Sequence, residues 1–531
     1  MKPLIFFKAL GVFIFITVFT AGAVLPGPND VVTVALDIDP TTINILETKI
    51  GIDIVMQHMH ESILSSDPVT GDLEPLLARK ITILPNRKDI KVTLEKNHKF
   101  HTGEPLTAKD VKWTYEQAVT PENAHLVAAS LEEIEDIEII DDYTLVFHHY
   151  EPFAPWPENM WIGICSKNYF EKVGRKKFRT QPVGSGTFKF VSRSIGENVI
   201  MEAAEGYTYP ENIYNKARTK IIKRKARQKK VDFKTLKFIS VRDAITRSAM
   251  LETGEADLIY GILPHDAKRL GINKKVKVKK TSNVPSFFAL ATKPLLYPIM
   301  ADSKFQRALT HAINRNEIID KVFLGEGYPM YMYASKSELG YDPSVKFEFN
   351  PDKSKKLVKA SSYKPGSPII LTFTNAVPSS EIIAPIVQKY LKDIGVTVQL
   401  QQLEAGVQAT YSRNKDRREG HMTLYAWAGG RDPHIRIILT IPSNSSYTSY
   451  PGRPSKDILD KLVVQQQTEL DPQKRLAVLK KIHRIVTKEP SSIPLYGLNQ
   501  IYAMRNRIDY TWTPKSAFPF NLTRIKVLKS K

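Results

Sequence analysis

Residues 100–118 read FHTGEPLTAKDVKWTYEQA, a turn followed by a well-specified helix. Thr107 is a favourable N-cap residue, and Asp110 follows three residues later, where the acid of a capping box belongs. Apolar residues then recur at helical spacing along one face: Val111, Tyr115 and Ala118. This pattern predicts an amphipathic helix, a structure that occurs in many folds, so its meaning depends on the rest of the chain.

The rest of the chain alternates between strand-like and helix-like patterns. The short apolar run VVTVAL at 31–36 is typical of a buried strand. Helical spacing recurs in three later segments: 303–324, with a break expected near Asn314; 381–394, closed by Gly395; and 472–488, capped by Asp471. This alternation predicts a mixed α/β protein. Because 531 residues exceed one compact core, two or three domains are expected.

The charge of the chain is strongly unbalanced. Lys and Arg number 76 against 55 Asp and Glu, a formal net charge of +21. Much of the excess lies in residues 216–237 and 274–280. Nucleic-acid binding calls for aromatic side chains that stack on bases, and residues 216–237 contain only Phe233. We interpret this stretch as a solvated basic insertion and expect no nucleic-acid partner, although acidic proteins or anionic lipids suit such a surface.

Residues 1–23 have the composition of an export signal. Lys2 and Lys8 are followed by an apolar run at 9–20 and by the small residues Ala-Gly-Ala at 21–23. An uncleaved anchor is the alternative, although the run is short for a membrane span. The single cysteine, Cys165, excludes an internal disulfide and a lipid anchor through a cysteine at the cleavage site. We therefore expect an exported, periplasmic protein that is not a lipoprotein.

The opening stretch resembles the "F-x-D/N-G-x-P-x-T-A-x-D-V" segment of family 5 extracellular solute-binding proteins, the dipeptide-, oligopeptide- and nickel-binding receptors of ABC importers. Five further blocks resemble this family in its usual order: PVGSGTFKF at 182–190, residues 242–261, residues 302–325, residues 350–357, and the pair 394–398 and 492–496. Each block alone is weak evidence, whereas six blocks in order make a specific resemblance.

The resemblance implies an α/β fold of two lobes, the bilobal periplasmic-binding-protein fold of type II, similar to the large cluster C proteins. The expected division is a signal peptide at 1–23; a discontinuous first lobe at 24–65, 180–285 and 490–531; a subdomain on that lobe at 66–179; and a second lobe at 286–489. Hinges are expected near 286–292 and 489–495. Ligand is then held in a cleft over which the lobes close.

Members of the family line this cleft with a segment that begins at a tryptophan, which here is Trp427. In the peptide-binding branch, the acid three residues later pairs with the α-amino group of the peptide. This chain has Gly430 at that position, which argues against an ordinary peptide receptor. The spacing from Trp427 to Asp432-Pro433-His434 is similar to the nickel-binding branch, where Arg431 replaces a tyrosine.

Arg431 is the residue from which we infer the ligand, because a guanidinium group suits carboxylates and phosphates. With the flat face of Trp427, it predicts a carboxylate-bearing small ligand or a metal chelate with carboxylate arms. Asp432 is a further candidate, although an acid before proline is often a turn residue. His434 as a metal ligand is a weaker idea. The remaining candidates, placed by the resemblance, are Trp161, Thr41 and Thr42.

Enzymatic motifs are lacking in the sequence. The His-Met-His-Glu run at 58–61 lacks the spacing of a zinc protease, and Gly184-Ser185-Gly186 is not a nucleophile elbow. We predict a monomeric, non-catalytic receptor without cofactor or protein-bound metal, which delivers a small molecule or peptide to an ABC permease. The alternatives are a secreted hydrolase or metal enzyme on an unrelated α/β fold, and a basic adhesin or polyanion-binding protein.

Overall fold

The architecture is taken from a computed structural model of the chain. It describes residues 30–39, 42–47, 53–66, 73–123, 128–205, 207, 209–211, 227–229, 231–282, 284–413, 416, 419–430, 432–445, 447, 450, 452–512 and 521–528. The expected signal segment and most of the basic stretch at 216–237 lie outside these residues. Within the described ranges, no helix is long and apolar enough to cross a membrane.

A seven-stranded sheet is built from distant parts of the chain. Its strands lie in the order Val276–Thr281, Gln500–Arg505, Leu258–Tyr260, Val31–Leu36, Thr235–Ser240, Asn198–Ala203 and Phe188–Ser194. The apolar run predicted as a buried strand is central and pairs in parallel with both neighbours. Its Val32, Val34 and Leu36 enter one core, while Ala35 enters the core on the other face. The helices that accompany this sheet are Asp53–Met56, Ala244–Thr253 and Pro264–Leu270, with short 3-10 turns at Ile45–Glu47 and Leu522–Arg524.

The opening stretch lies beside a smaller antiparallel sheet. The four strands are ordered Ala78–Ile83, Ile90–Leu94, Thr144–His149 and Ile134–Asp141. The predicted helix is Ala108–Ala118, and its buried stripe includes Val111, Tyr115 and Ala118. The capping box is confirmed, since the Thr107 N–H donates to Asp110 Oδ2 at 2.9 Å. Further elements of this layer are the helices Ala128–Leu131 and Lys167–Phe178, the 3-10 helix Trp156–Trp161, and the nearby hairpin Leu64–Ser66 with Leu73–Pro75.

A second large sheet has six strands. They lie in the order Gly327–Pro329, Ser492–Leu498, Ser286–Thr292, Met422–Ala428, Ile369–Phe373 and Val398–Gln402. Side chains alternate across the pleat, so Phe288 and Leu290 enter one core while Phe287 and Ala289 enter another. The helices packed around this sheet are Pro298–Ala301, Ser303–Ala312, Arg315–Val322, Pro351–Lys359, Ser380–Asp393, Ala405–Arg413, His434–Thr440, Lys456–Thr468 and Pro472–Lys488. Two short strand pairs, Tyr209–Glu211 with Arg227–Lys229 and Ile508–Asp509 with Lys526–Val527, complete the described strands.

Two predicted helix starts are confirmed by their capping contacts. The helical pattern at 303–324 divides at Asn314, whose side chain accepts the Glu317 N–H at 3.1 Å and caps the second helix. Asp471 caps the last long helix by accepting the Lys474 N–H at 2.9 Å. The local sequence pattern therefore predicted both start signals correctly.

The two large sheets are joined by two short crossings of the chain. One runs from Val276–Thr281 in the seven-stranded sheet to Ser286–Thr292 in the six-stranded sheet, and the other passes through Asn499. The strand Ser492–Leu498 thus belongs to the second sheet. The division into lobes and the hinge positions remain predictions, and these crossings are the segments to test.

The first prediction concerns the capping acid of the opening helix. Asp110 is 6 % exposed and accepts the N–H groups of Thr107 at 2.9 Å and Lys167 at 3.0 Å. Replacing Asp110 by Ala leaves these donors without their acceptor, so we expect a loss of about 2–3 kcal/mol in the free energy of unfolding. Urea unfolding measures the change. Glu116→Ala, at an exposed position of the same helix, should change stability by less than about 0.5 kcal/mol; equal effects would contradict the role of Asp110.

Candidate ligand-binding site

Trp427 lies near the end of the strand Met422–Ala428, next to the middle of the second sheet. It pairs with Phe287 on the neighbouring strand and packs, partly buried, against the core beneath. Its ring meets that of Tyr447 edge to face, with 6.2 Å between centroids. Trp427 therefore belongs to a rigid strand, and the loop that follows it begins where this strand ends.

Gly429 begins this loop and lies against the first crossing between the sheets. Its N–H donates to the carbonyl of Pro285. A Cβ atom at this position would collide with that carbonyl oxygen and with the Glu338 carboxylate. Only glycine permits this approach, so the loop after Trp427 is joined directly to the segment through which the chain enters the second sheet.

A buried ion pair supports the loop from below. Arg436 and Glu338 are 1 % and 0 % exposed at their side chains and are hydrogen bonded to each other. Arg436 also donates to the Tyr333 carbonyl at 3.0 Å, and its guanidinium lies 4.9 Å from the ring centroid of Phe287. Because both charges are out of water and paired, this cluster is a structural support beneath the strand and its loop.

Asp432 is held by Arg475 in a two-point ion pair. The second Arg475 nitrogen donates to Asp432 Oδ1 at 2.8 Å, and the His434 N–H donates to the same oxygen at 3.1 Å. Arg475 further donates to the Gln466 carbonyl at 2.7 Å. Through these contacts, Asp432 fixes the loop to the helices Lys456–Thr468 and Pro472–Lys488. Its role in ligand binding remains a prediction.

His434 lies in the contact between the second sheet's layer and the smaller sheet's layer. Its Nδ1 accepts from Gln466 Nε2 at 3.0 Å, and its ring packs edge-on against Phe153 with 5.2 Å between centroids. Burial lowers its pKa from 6.5 to about 4, so the ring is neutral at physiological pH. No group of three or more His, Cys, Asp or Glu suited to a metal ion occurs in the described part of the chain.

The loop at 153–158 forms the smaller sheet's side of this contact between layers, opposite the loop that follows Trp427. The Ala154 N–H donates to the carbonyl of Gln467 at 2.7 Å, which joins the smaller sheet's layer to the helix Lys456–Thr468. Charged groups from both walls line a recess here. Its lining consists of Ile83, Ala154, Trp156, Pro157, Glu158, Asp432, Leu470, Pro472 and Arg475.

Glu158 was not predicted from the sequence. It sits on the 3-10 helix Trp156–Trp161, half-buried, and its Oε2 lies 3.5 Å from the position that a Cβ on Gly430 would occupy. The glycine where the peptide-binding branch has an acid therefore faces an acid from the other wall. The only sequence signal was the proline-rich loop that precedes Trp161.

The remaining predicted site residues do not share one location in the structure. Trp161 ends the same 3-10 helix as Glu158 and packs against the core of the four-stranded sheet. Thr42 is 8 % exposed and makes local contacts, accepting the Asn44 N–H at 3.0 Å and donating to Glu47 at 3.4 Å. Thr41 and Arg431 lie outside the described residues.

The histidines at 58–61 have structural partners. His58 Nε2 accepts the Leu522 N–H at 3.0 Å, and His60 Nδ1 donates to the Ile164 carbonyl at 3.2 Å. Burial lowers the pKa of His60 to about 4. Glu61 accepts from Tyr207 and lies 3.1 Å from a His98 ring nitrogen. The side chains of this run are therefore engaged in contacts within the folded chain.

Two large sheets joined by short crossings, with a loop of one facing a helix beside the other, define a bilobal solute-binding architecture. The model of bacterial extracellular solute-binding proteins, family 5, matches residues 72–448. The chain belongs to this family, whose members bind peptides or other small solutes and work with ABC permeases. The resemblance inferred from six sequence blocks is thereby confirmed.

Individual relatives are distant but cover most of the chain. The glutathione-binding protein GsiB of Salmonella typhimurium is 24% identical over 468 residues, which span 85% of this chain and 86% of that protein. NikZ of Campylobacter jejuni, solved with Ni(L-His), superposes with a TM-score of 0.79 at 18% identity over 94% of this chain and 99% of its own. DppA of Helicobacter pylori, solved with the peptide STSA, gives 0.78 at 20% over 94% and 98%. These likenesses confirm the bilobal fold.

A prediction follows for the ion pair that positions the loop. Replacing Arg475 by Met leaves the Asp432 carboxylate, 5 % exposed, without its cation, and we expect a loss of about 3–5 kcal/mol in the free energy of unfolding. The matched control is Lys389→Met, because Lys389 and Asp393 form an ion pair whose side chains are 74 % and 52 % exposed. That change should cost less than about 1 kcal/mol. Urea unfolding of both variants decides, and similar losses would show that the Arg475 pair has no special role.

A third prediction concerns pH. Folded His434 has a pKa of about 4 because of burial, whereas an unfolded histidine has 6.5. Between these values the unfolded chain binds a proton that the folded ring excludes, so stability is lost as the pH falls through this window. His434→Gln should remove on the order of 3 kcal/mol of the decrease between pH 6.5 and pH 4. The exposed His265→Gln is the control, and an unchanged pH slope in His434→Gln would contradict the assignment.

Proposed function

We propose that this protein is exported, captures a small peptide-like or other carboxylate-bearing ligand between its two lobes, and delivers it to an ABC permease as a monomer. The observation that carries this proposal is the position of the Trp427 loop. The loop contacts the first crossing through Gly429 and faces Glu158 through Gly430, which supports a position between the proposed lobes. A ligand that contacts both walls stabilises the closed arrangement.

The domain division supports this action. We propose a first lobe of residues 24–65, 180–285 and 490–531 with its subdomain at 66–179, and a second lobe at 286–489. If each lobe is defined by the sheet to which its strands belong, the boundary proposed at 489–490 moves toward Asn499, because the strand Ser492–Leu498 lies in the six-stranded sheet. Two single-chain crossings permit rotation of one lobe on the other, because few contacts need to change at a hinge.

The ligand chemistry follows from Arg431 and its neighbours. A guanidinium group presents paired N–H donors that match a carboxylate. The half-buried Trp427, four residues earlier in the sequence, offers an apolar face. We propose Trp427, Arg431 and Trp161 as ligand contacts, with Thr41 and Thr42 at the first-lobe wall and Asp432 shaping the loop. The glutathione-binding relatives make glutathione, a tripeptide with two carboxylates, the first molecule to try.

A metal chelate remains a second form of the same ligand class, because its carboxylate arms present the same groups. NikZ was solved with Ni(L-His), in which the metal arrives with an organic ligand. We do not assign His434 as a direct metal ligand, since its Nδ1 accepts from Gln466 and its ring packs against Phe153. The protein then recognises the chelate through its organic groups.

Binding without turnover is the decisive experiment. Pools of peptides, glutathione, Ni²⁺–histidine, opines and acidic sugars are screened for a rise in melting temperature, and each hit is checked for consumption by chromatography. We expect at least one pool to stabilise the protein while its contents remain intact. Consumption of a substrate without stabilisation would favour an enzyme, and tight, salt-sensitive binding of polyanions alone would favour an adhesin.

The prediction for this site is a loss of affinity in Arg431→Ala. Removing the guanidinium should weaken a carboxylate-bearing hit by about 1–3 kcal/mol, the range for a charge-assisted contact. Arg307→Ala, at an exposed position of the helix Ser303–Ala312, is the control and should bind as the wild type does. Isothermal titration calorimetry measures both, and an unchanged dissociation constant in Arg431→Ala would remove this residue from the site.

A further inference from the structure

We propose that the outer surface of two helices beside the six-stranded sheet, Ser303–Ala312 and Pro351–Lys359, docks on the anionic phospholipid surface of a membrane. The cations of this surface, the basic face, are Lys304, Arg307, Lys353, Lys356 and Lys359. Attachment through the basic face goes beyond the proposed function, because it does not depend on which ligand the protein binds.

The two helices lie side by side and run antiparallel. At the start of the second helix, the Asn350 N–H donates to the carbonyl of His311, near the end of the first helix, at 2.9 Å. Just after the second helix, the Ser362 N–H donates to Asp302 Oδ2, at the start of the first helix, at 2.7 Å. Contacts at both ends therefore hold the helices together, and their outer sides form one continuous surface.

Cations from both helices are adjacent on this surface. Lys304 and Arg307 are three residues apart on the first helix, and Lys353, Lys356 and Lys359 follow at the same spacing on the second. Residues three apart are neighbours on the surface of a helix. All five side chains are exposed except that of Lys353, which is half-buried. The basic face therefore presents a cluster of positive charge to solvent.

A buried histidine between the helices supports this grouping. His311 is 4 % exposed, and its Nδ1 donates to the Glu348 carbonyl at 2.9 Å. Burial lowers the pKa of His311, and the positive charges of Lys353 on one helix and Arg307 on the other lower it further. Cations of both helices are thus close enough to act on one ring, as expected of a single cluster.

The positive charge of the basic face is not neutralised by its own chain. Within the described part of the protein, none of the five cations forms an ion pair. The acids at the ends of the helices have other partners. Asp302 accepts three backbone N–H groups, Asp352 lies 3.6 Å from Lys355, and Glu348 accepts from the Asn350 side chain at 2.9 Å.

The composition of the basic face favours a lipid surface over an acidic protein. Four of its five cations are lysines, whereas protein interfaces are depleted of lysine and enriched in arginine and aromatic residues. Neither of these two fully described helices exposes a large apolar or aromatic side chain. A lysine ammonium is a hydrated point charge, which suits headgroups without a fixed geometry. Each basic residue near an anionic bilayer raises affinity about fivefold.

Vesicle binding by two variants of equal net charge tests the proposal. The full chain is mixed with vesicles of phosphatidylcholine, or of equal parts phosphatidylcholine and phosphatidylglycerol, and sedimented at low and high salt. We expect the wild type to bind the anionic vesicles, more weakly at high salt. Replacing three lysines of the basic face by Gln should reduce this binding about 10–100-fold. The substitutions are Lys304→Gln, Lys356→Gln and Lys359→Gln.

The matched control removes three exposed lysines from another part of the molecule. Lys172→Gln, Lys176→Gln and Lys177→Gln lie on the helix Lys167–Phe178, beside the four-stranded sheet. This variant should lose less than about threefold in vesicle binding, because charges away from the contact are screened. Glutamine is nearly as good a helix former as lysine, so both variants should keep the wild-type melting temperature and the affinity for any ligand that the screen identifies.

Three results would overturn the proposal. Equal losses in the two variants would show that the net charge of +21, and not the basic face, attracts the lipid. Equal binding of the wild type to neutral and anionic vesicles would show that apolar contacts are responsible. Binding to polyglutamate but not to anionic vesicles would assign the face to an acidic protein. All three leave ligand capture intact, whereas the proposed function fails only in the ligand screen.

Discussion

The buried ion pair between Asp432 and Arg475 is the interaction on which the candidate site depends. It holds the loop after Trp427 on the helix Pro472–Lys488, and through Gln466 it orders His434 against the subdomain. A buried carboxylate without its cation is costly, so the loop has one favourable position. The candidate site is therefore positioned by a charge pair that lines the same recess as Glu158.

Glycine has a complementary role on the other side of the loop. Gly429 allows backbone contact with the crossing at Pro285, and Gly430 leaves room for Glu158. The residues that follow Trp427 in the second sheet thus contact the crossing through Gly429 and the subdomain through Gly430. In the function that we propose, closure of the lobes and recognition of the ligand are linked, because the proposed ligand contacts follow Trp427 on the loop that meets the subdomain.

Much of the fold was predictable because its signals are local. The cap at Thr107 and Asp110, the break at Asn314 and the cap at Asp471 depend on hydrogen bonds within one turn, and all three are present. The order of six sequence blocks indicated the family. The ligand site was less accessible, because Asp432 fulfils a structural role through Arg475, a residue that no motif connects with it.

The sequence by itself determined the α/β class, the helix boundaries, the family and the absence of an acid at Gly430. These depend on residue type and short-range spacing, which are read directly along the chain. Only the tertiary structure placed Glu158 opposite Gly430 and His434 against Phe153. Such pairs join separately folded layers, and their proximity arises from how those layers pack, which the periodicity of either segment does not encode.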